Sequence, residues 1–126
     1  MTRRNVRAIV STGLAVICLG VWTSAWAAAP SEKYKTLCAS CHGDSGNGQG
    51  PAAEALKAVA KVRDFTDGKY MNARTDAQLT KVIKEGGMTS GFSPLMAAFG
   101  SQLSDKEIKE ILGFIRSVAV PKYQKK

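Results

Sequence analysis

The chain has 126 residues, enough for one ordinary domain and too few for two well-buried cores. Apolar residues make up 44% and charged residues 22%, which excludes a disordered chain and a polytopic membrane protein alike. Eighteen Lys and Arg stand against 10 Asp and Glu, a formal +8, and that charge is unevenly spread.

Arg3, Arg4 and Arg7 open the chain without an acid, and Ala8 to Ala29 carry no charge at all. A basic start, an apolar stretch and the small-residue site Ala25-Trp26-Ala27 together have the form of an export signal over residues 1–27, cleaved after Ala27. The alternative is an uncleaved anchor that holds the domain on the periplasmic face of a membrane. Ser11, Thr12, Gly13, Thr23 and Ser24 interrupt the apolar run and favour cleavage. The expected domain is then residues 28–126, in the periplasm. Removing the signal takes three arginines, Cys18 and both tryptophans, leaving 99 residues, a charge of +5 and two cysteines, Cys38 and Cys41.

Ser31 followed by Glu32 predicts a helix start, with Tyr34, Leu37 and Cys38 on one face. Gly43 to Gly50 hold four glycines in eight positions and read as a loop. A modest helix is expected over 52–61, then a turn over 64–69. Thr75 caps the next helix, which carries Leu79, Val82 and Ile83 at i, i+3, i+4 and ends at Gly86-Gly87. After a loop stiffened by Pro94, Ser104-x-x-Glu107 forms a capping box ahead of Ile108, Ile111, Leu112 and Ile115. No stretch alternates with period two. The expected fold is all-α, roughly four helices joined by long loops. So few short helices leave a small apolar core, and something other than the chain is expected to fill the middle.

Cys38-Ala39-Ser40-Cys41-His42 supplies that something. C-x-x-C-H is the attachment signature of c-type haem: two thiols three residues apart can each add to one vinyl group of the same porphyrin, and the next residue projects its imidazole at the iron. Structural zinc needs four ligands, and the exported chain offers two cysteines and the single histidine. A thioredoxin-like pair would follow a strand in a βαβ unit, for which there is no pattern. A plain disulfide leaves His42 unexplained and closes a strained loop. One covalently attached haem c is therefore expected.

An electron carrier needs a sixth iron ligand, and the only histidine is already used. The candidates are Met71, Met88 and Met96. Met71 reads as core filler and Met88 lies beside flexible Gly86-Gly87, whereas Met96 follows Pro94 on a segment delivered onto the last helix. Met96 is the expected distal ligand and Met88 the runner-up.

On these residues the chain resembles the class I, monohaem bacterial cytochromes c over residues 31–119. The likeness is carried by Tyr34 four residues before Cys38, by Cys38-x-x-Cys41-His42-Gly43, by Gly50-Pro51, by Leu95-Met96-x-x-Phe99-Gly100, and by Leu103-Ser104-Asp105 leading to Phe114-Ile115-Arg116-Ser117. The resemblance implies thioethers on Cys38 and Cys41, His42 as proximal and Met96 as distal ligand, and a bond from the His42 ring N–H to the Pro51 carbonyl. It also implies that Tyr34 packs on Phe114 and on Gly113, where a glycine would let two helices cross closely. Two features depart from the family: Ala97 stands where a proline often follows the methionine, and the exported chain has no tryptophan for the haem carboxylates. Tyr70, Arg63 and Arg74 are the candidates for that contact.

The expected function is one-electron transfer, outer-sphere, at the exposed porphyrin edge, with no catalytic acid or base. Lys33, Lys35, Lys57, Lys61 and Lys69 give a basic surface suited to redox partner proteins with acidic docking faces, met by a monomer. Nucleic acid is not an expected partner, because the basic tail of Lys122, Lys125 and Lys126 is short and export removes contact with it. Two alternatives stand beside this reading. One is a haem subunit of a larger membrane or periplasmic oxidoreductase complex. The other is an open-site haem enzyme or small-ligand binder, which requires Met96 to be unligated.

Overall fold

The computed structural model describes residues 28–124; the export signal expected over residues 1–27 and the last two lysines lie outside them. Ser31 begins the helical part, its Oγ accepting the Tyr34 N–H at 3.3 Å and opening α1 (Glu32–Leu37). Cys38 closes α1 and at once caps α2 (Ala39–His42), so the C-x-x-C-H motif is itself a helical turn. After the glycine loop come α3 (Pro51–Leu56), α4 (Gly68–Asn72) and α5 (Asp76–Glu85), then a 3-10 turn at Met88–Ser90 and α6 (Asp105–Val118). Among the described residues there is no strand, only an isolated bridge between Asp67 and Val120.

The all-α class is as expected, but the described residues hold six α-helices. The helix expected over 52–61 stops at Leu56, because the residues beyond it have nothing to pack on: Val59 is 74% exposed. Part of the segment expected as a turn is α4, which Asp67 caps by accepting the Tyr70 N–H at 3.0 Å. Glycine at its first position hides that helix from propensity, and the complete burial of Met71 holds it in place. The two longest helices, α5 and α6, both carry reciprocal capping boxes, Thr75 with Gln78 and Ser104 with Glu107.

The core lies where α1 crosses α6. Tyr34, Met71, Ile108 and Ile111 are its fully buried large side chains. Tyr34 meets Phe114 edge to face with ring centroids 4.5 Å apart, and its hydroxyl donates to the Gly43 carbonyl at 2.9 Å. The C-x-x-C-H turn is thereby tied to both terminal helices. Gly113 has no part in this crossing. It faces solvent, and a Cβ placed there would meet nothing within 4 Å, so the expected close contact at Gly113 is corrected: the helices meet through Tyr34 on Phe114 and through Lys33 on Glu107.

Arg116 is the buried cation, 9% exposed, and ties α6 to α4 and α5. Its Nη1 donates to the Met71 carbonyl and its Nη2 to the Arg74 carbonyl, each at 2.6 Å. Nε and Nη2 reach Asp76 Oδ1 at 2.9 and 2.8 Å, and the guanidinium stacks on Tyr123. At the C-terminal end of α4 the Met71 carbonyl thus accepts from Arg116 as well as from the Arg74 N–H, and the Tyr70 carbonyl accepts from Arg74 Nη1 at 3.0 Å.

Three substitutions test these contacts by their effect on stability. Arg116→Met should cost about 2–4 kcal/mol, since it strands the Arg74 carbonyl, takes one donor from that of Met71 and unpairs a carboxylate, whereas Asp76→Asn, at a half-exposed partner, should cost under about 1 kcal/mol. Gly113→Ala should instead stabilise by about 0.5–1 kcal/mol, because it removes a helix-interior glycine at a site with free space. Denaturant unfolding of the haem-loaded protein, compared at equal slope, measures all three.

Candidate functional site

The site begins with the glycine loop. Gly48 has φ +73 and donates its N–H to the His42 carbonyl at 2.8 Å, and a Cβ on it would stand 3.2 Å from the carbonyl oxygens of both Val62 and Arg63. Gly50 donates to the Cys41 carbonyl at 3.0 Å, and a Cβ there would collide with the carbonyl oxygens of Ala39 and Ser40. Missing side chains at these two positions let the 62–65 segment pass against the loop, and the start of α3 against the C-x-x-C-H turn, backbone to backbone.

That passage fixes His42. Its Nδ1 lies 3.0 Å from the Arg63 carbonyl, so Nδ1 carries the proton and donates. The imidazole face stacks on Phe65, with centroids 4.3 Å apart and planes 17° from parallel. Phe65 is itself anchored by its N–H to the Gly46 carbonyl at 2.7 Å. The carbonyl expected in this role was that of Pro51, and here the structure corrects the sequence reading. Pro51 is the first residue of α3, where its carbonyl belongs to the helix's own hydrogen-bond ladder, and the 62–65 segment lies over the imidazole instead. Burial pushes the pKa of His42 below its ordinary 6.5 against the opposing effect of the Arg63 carbonyl, so the ring is held neutral, with Nε2 left to act as a ligand.

His42 lines a cavity enclosed by all six helices and the methionine segment, with Cys38, Cys41, Leu37, Leu79, Ile83 and Ile115 among its walls. Both thiols are free. Burial, and then the neighbouring Cys41, push the Cys38 thiol up to about 11, the opposite of the lowered value that a dithiol redox catalyst needs. Among the described residues no group of three or more His, Cys, Asp and Glu gathers to hold a metal ion by itself, so the ligand set of a structural zinc is not assembled.

Met96 lines the same cavity. Its segment is fastened to the end of α5 by main chain alone: Gly87 N–H to the Met96 carbonyl at 2.8 Å, Phe99 N–H to Ile83 at 2.9 Å and Gly100 N–H to Lys84 at 3.1 Å. These bonds supply the rigidity that a proline at position 97 would have given. Met88, on the 3-10 turn, is 72% exposed and does not reach the cavity, and Met71 is core. Arg63, Tyr70 and Arg74 also border the cavity and form a stack, with guanidinium carbons 3.8 Å (Arg63) and 3.3 Å (Arg74) from the Tyr70 ring centroid.

Two thiols spaced for one porphyrin, a neutral imidazole with one nitrogen already engaged, a thioether and apolar walls form a donor set that fits a haem. Such a site, on helices without strands, defines the class of the c-type cytochromes. The chain belongs to the family described as cytochrome c oxidase, cbb3-type, subunit III, whose model matches residues 25–115. Among solved structures it is similar to the KustC0563 c-type cytochrome, at 26% identity and a TM-score of 0.55, covering 68% of this chain and 92% of that one. No curated protein matches it significantly. The cofactor is accordingly haem c, covalently bound through Cys38 and Cys41, and the domain is of the electron-transferring kind.

Sequence reading missed Phe65 and the Arg63 carbonyl. Phe65 is a lone aromatic among charged neighbours, a faint signal; a main-chain acceptor leaves no signal at all. Gly50→Ala should therefore abolish covalent haem incorporation, because the contact it breaks is with the main chain of the motif. The haem absorbance of the purified protein on a denaturing gel, set against wild type, checks this.

Proposed function

We propose that the chain is an exported one-electron carrier of the periplasm whose haem iron takes His42 on one side and Met96 on the other. The observation that carries this reading is the convergence of His42 and Met96 on one cavity, each held by main-chain hydrogen bonds, through Arg63 and Gly87 respectively. When bound, the haem supplies the iron whose oxidation state changes by one electron. The protein's part is to keep everything else still. Arg63 and Phe65 hold the imidazole in one tautomer and one plane, and the α5 stitching holds the thioether, so both ligands persist in both oxidation states. The apolar walls exclude water from the metal. Tyr70, Arg63 and Arg74 present two cations at the cavity edge that suit the haem carboxylates.

Partner choice follows from charge. Lys61 borders the cavity, and the exported chain is expected to carry +5, so acidic docking faces on redox proteins are the proposed partners of a monomeric carrier. Lys33, Lys35 and Lys57 are partly spent on Glu107, Glu32 and Glu54. Among the described residues no helix is long and apolar enough to cross a membrane. A second reading has its own support: the family description names an oxidase subunit, which favours a haem domain docked in a larger oxidoreductase complex. Co-purification of a fixed partner from the native exported fraction distinguishes the two.

Met96→Ala should remove the iron–sulfur charge-transfer band from the ferric spectrum and open the ferrous protein to rapid carbon monoxide binding, whereas Met88→Ala should leave both unchanged. A band that survives Met96→Ala, or wild type that binds carbon monoxide at once, refutes Met96 as ligand.

A further inference from the structure

Beside the haem cavity, and sharing with it the walls Arg74, Leu79, Val82 and Phe92, lies a second cleft between α5 and the Met88–Ser90 turn. Its polar side chains are Arg74, Gln78, Lys81, Thr89 and Ser90. None is acidic. The wall opposite α5 is uncharged as well, because residues 86–104 contain no ionisable side chain. The charges facing the cleft are thus Arg74, from the turn after α4, and Lys81 on α5, with Glu85 beside Lys81 at a loose 3.9 Å.

The donors here are only partly used. Gln78 Oε1 is spent on the Thr75 N–H at 2.9 Å, which leaves its amide NH2 to donate. Thr89 Oγ1 is shared between the carbonyls of Glu85 and Gly86. The Ser90 hydroxyl is buried and has no hydrogen-bond partner among the described residues. A buried hydroxyl costs stability unless something pairs with it. Arg74 spends Nη1 on the Tyr70 carbonyl at 3.0 Å and Lys81 is held only loosely by Glu85, so both keep donors for the cleft, and with no acid among its walls an anion is the fitting occupant. The floor of Leu79, Val82 and Phe92 is apolar and runs into the haem cavity, which suits a carboxylate attached to an apolar body.

We propose that this cleft is a carboxylate-binding site, filled in the first place by a carboxylate of the haem in the adjoining cavity. The proposal rests on the haem occupying the cavity lined by His42 and Met96. It adds Lys81, Gln78 and Ser90 to the residues that hold the cofactor. It also makes Arg74, which borders both spaces, the residue that joins them.

The test is the midpoint potential of the haem-loaded protein as a function of pH. Ionisation of a carboxylate near the iron favours the ferric state, so the potential steps down as the group loses its proton. Cations in the cleft favour the ionised form and set that step at low pH. Lys81→Gln and Arg74→Gln should each move it up by about one to three pH units, and Lys81→Arg should restore it. Lys109→Gln, an exposed lysine on α6, should leave it in place. Repeating the titration with acetate in place of chloride separates the two sources of carboxylate. If the haem supplies it, the wild-type potential ignores acetate. If a free carboxylate does, acetate lowers the wild-type potential and leaves that of Lys81→Gln unmoved, and the cleft is a carboxylate site in either case. The proposal is overturned if Lys81→Gln and Arg74→Gln titrate as wild type and no protein responds to acetate, or if Lys109→Gln moves the step as far as Lys81→Gln. Wild type that carries no covalent haem overturns the cavity and the cleft together; loaded protein with an unmoved step and no acetate response overturns the cleft alone.

Discussion

The hydrogen bond between His42 Nδ1 and the Arg63 carbonyl is the contact on which the arrangement depends. It settles which ring nitrogen is left for a metal, and it can form only because the 62–65 segment runs against the C-x-x-C-H turn at a distance that Gly48 permits. The glycine loop is thus a spacer whose purpose is contact: without side chains there, two stretches of main chain come close enough to orient an imidazole. Phe65 completes the constraint by fixing the plane of the ring. The loop carries little stability of its own, and its place in the fold makes sense only once a cofactor fills the space it helps enclose.

A second constraint comes from α6. Its apolar stripe closes the core through Ile108, Ile111 and Phe114, while Arg116 on the same helix reaches back to the carbonyls of Met71 and Arg74 and to Asp76. One helix therefore sets the position of the short α4 and the turn that carries Arg74. Since Arg74 borders both the haem cavity and the basic cleft, the packing of the last helix is linked to the electrostatics of the site through the main chain of that turn.

What could be read from the sequence was what is local. The Thr75 cap, the Ser104–Glu107 capping box, the glycine stop of α5 and the C-x-x-C-H spacing lie within a few residues, and the structure contains each of them. The shortage of core was also legible, because it follows from counting. What escaped was main chain meeting main chain. The acceptor for His42 was assigned to Pro51 by resemblance, yet a carbonyl oxygen has no residue type, and only the path of the chain decides that it is Arg63's. Helix α4 was hidden for a related reason: Gly68 opens it, and its stability comes from burying Met71 and from Arg116, which is 45 residues away from Met71 in the chain. Gly113 was misread in the other direction, a glycine taken as a sign of close packing where there is open space.

The fastening of the Met96 segment has a consequence for how such a domain can diversify. Gly87, Phe99 and Gly100 hold that segment through main-chain hydrogen bonds, and the two glycines admit no side chain: a Cβ would collide with the Ser93 carbonyl at Gly87 and stand 2.9 Å from the Lys84 carbonyl oxygen at Gly100. Of the side chains along it, Phe92 and Leu95 line the cavity, whereas Met88 is 72% exposed and lies outside it. Variation that suits one partner or another is therefore confined to positions such as Met88, outside both the cavity and the stitching, while the thioether stays where it is.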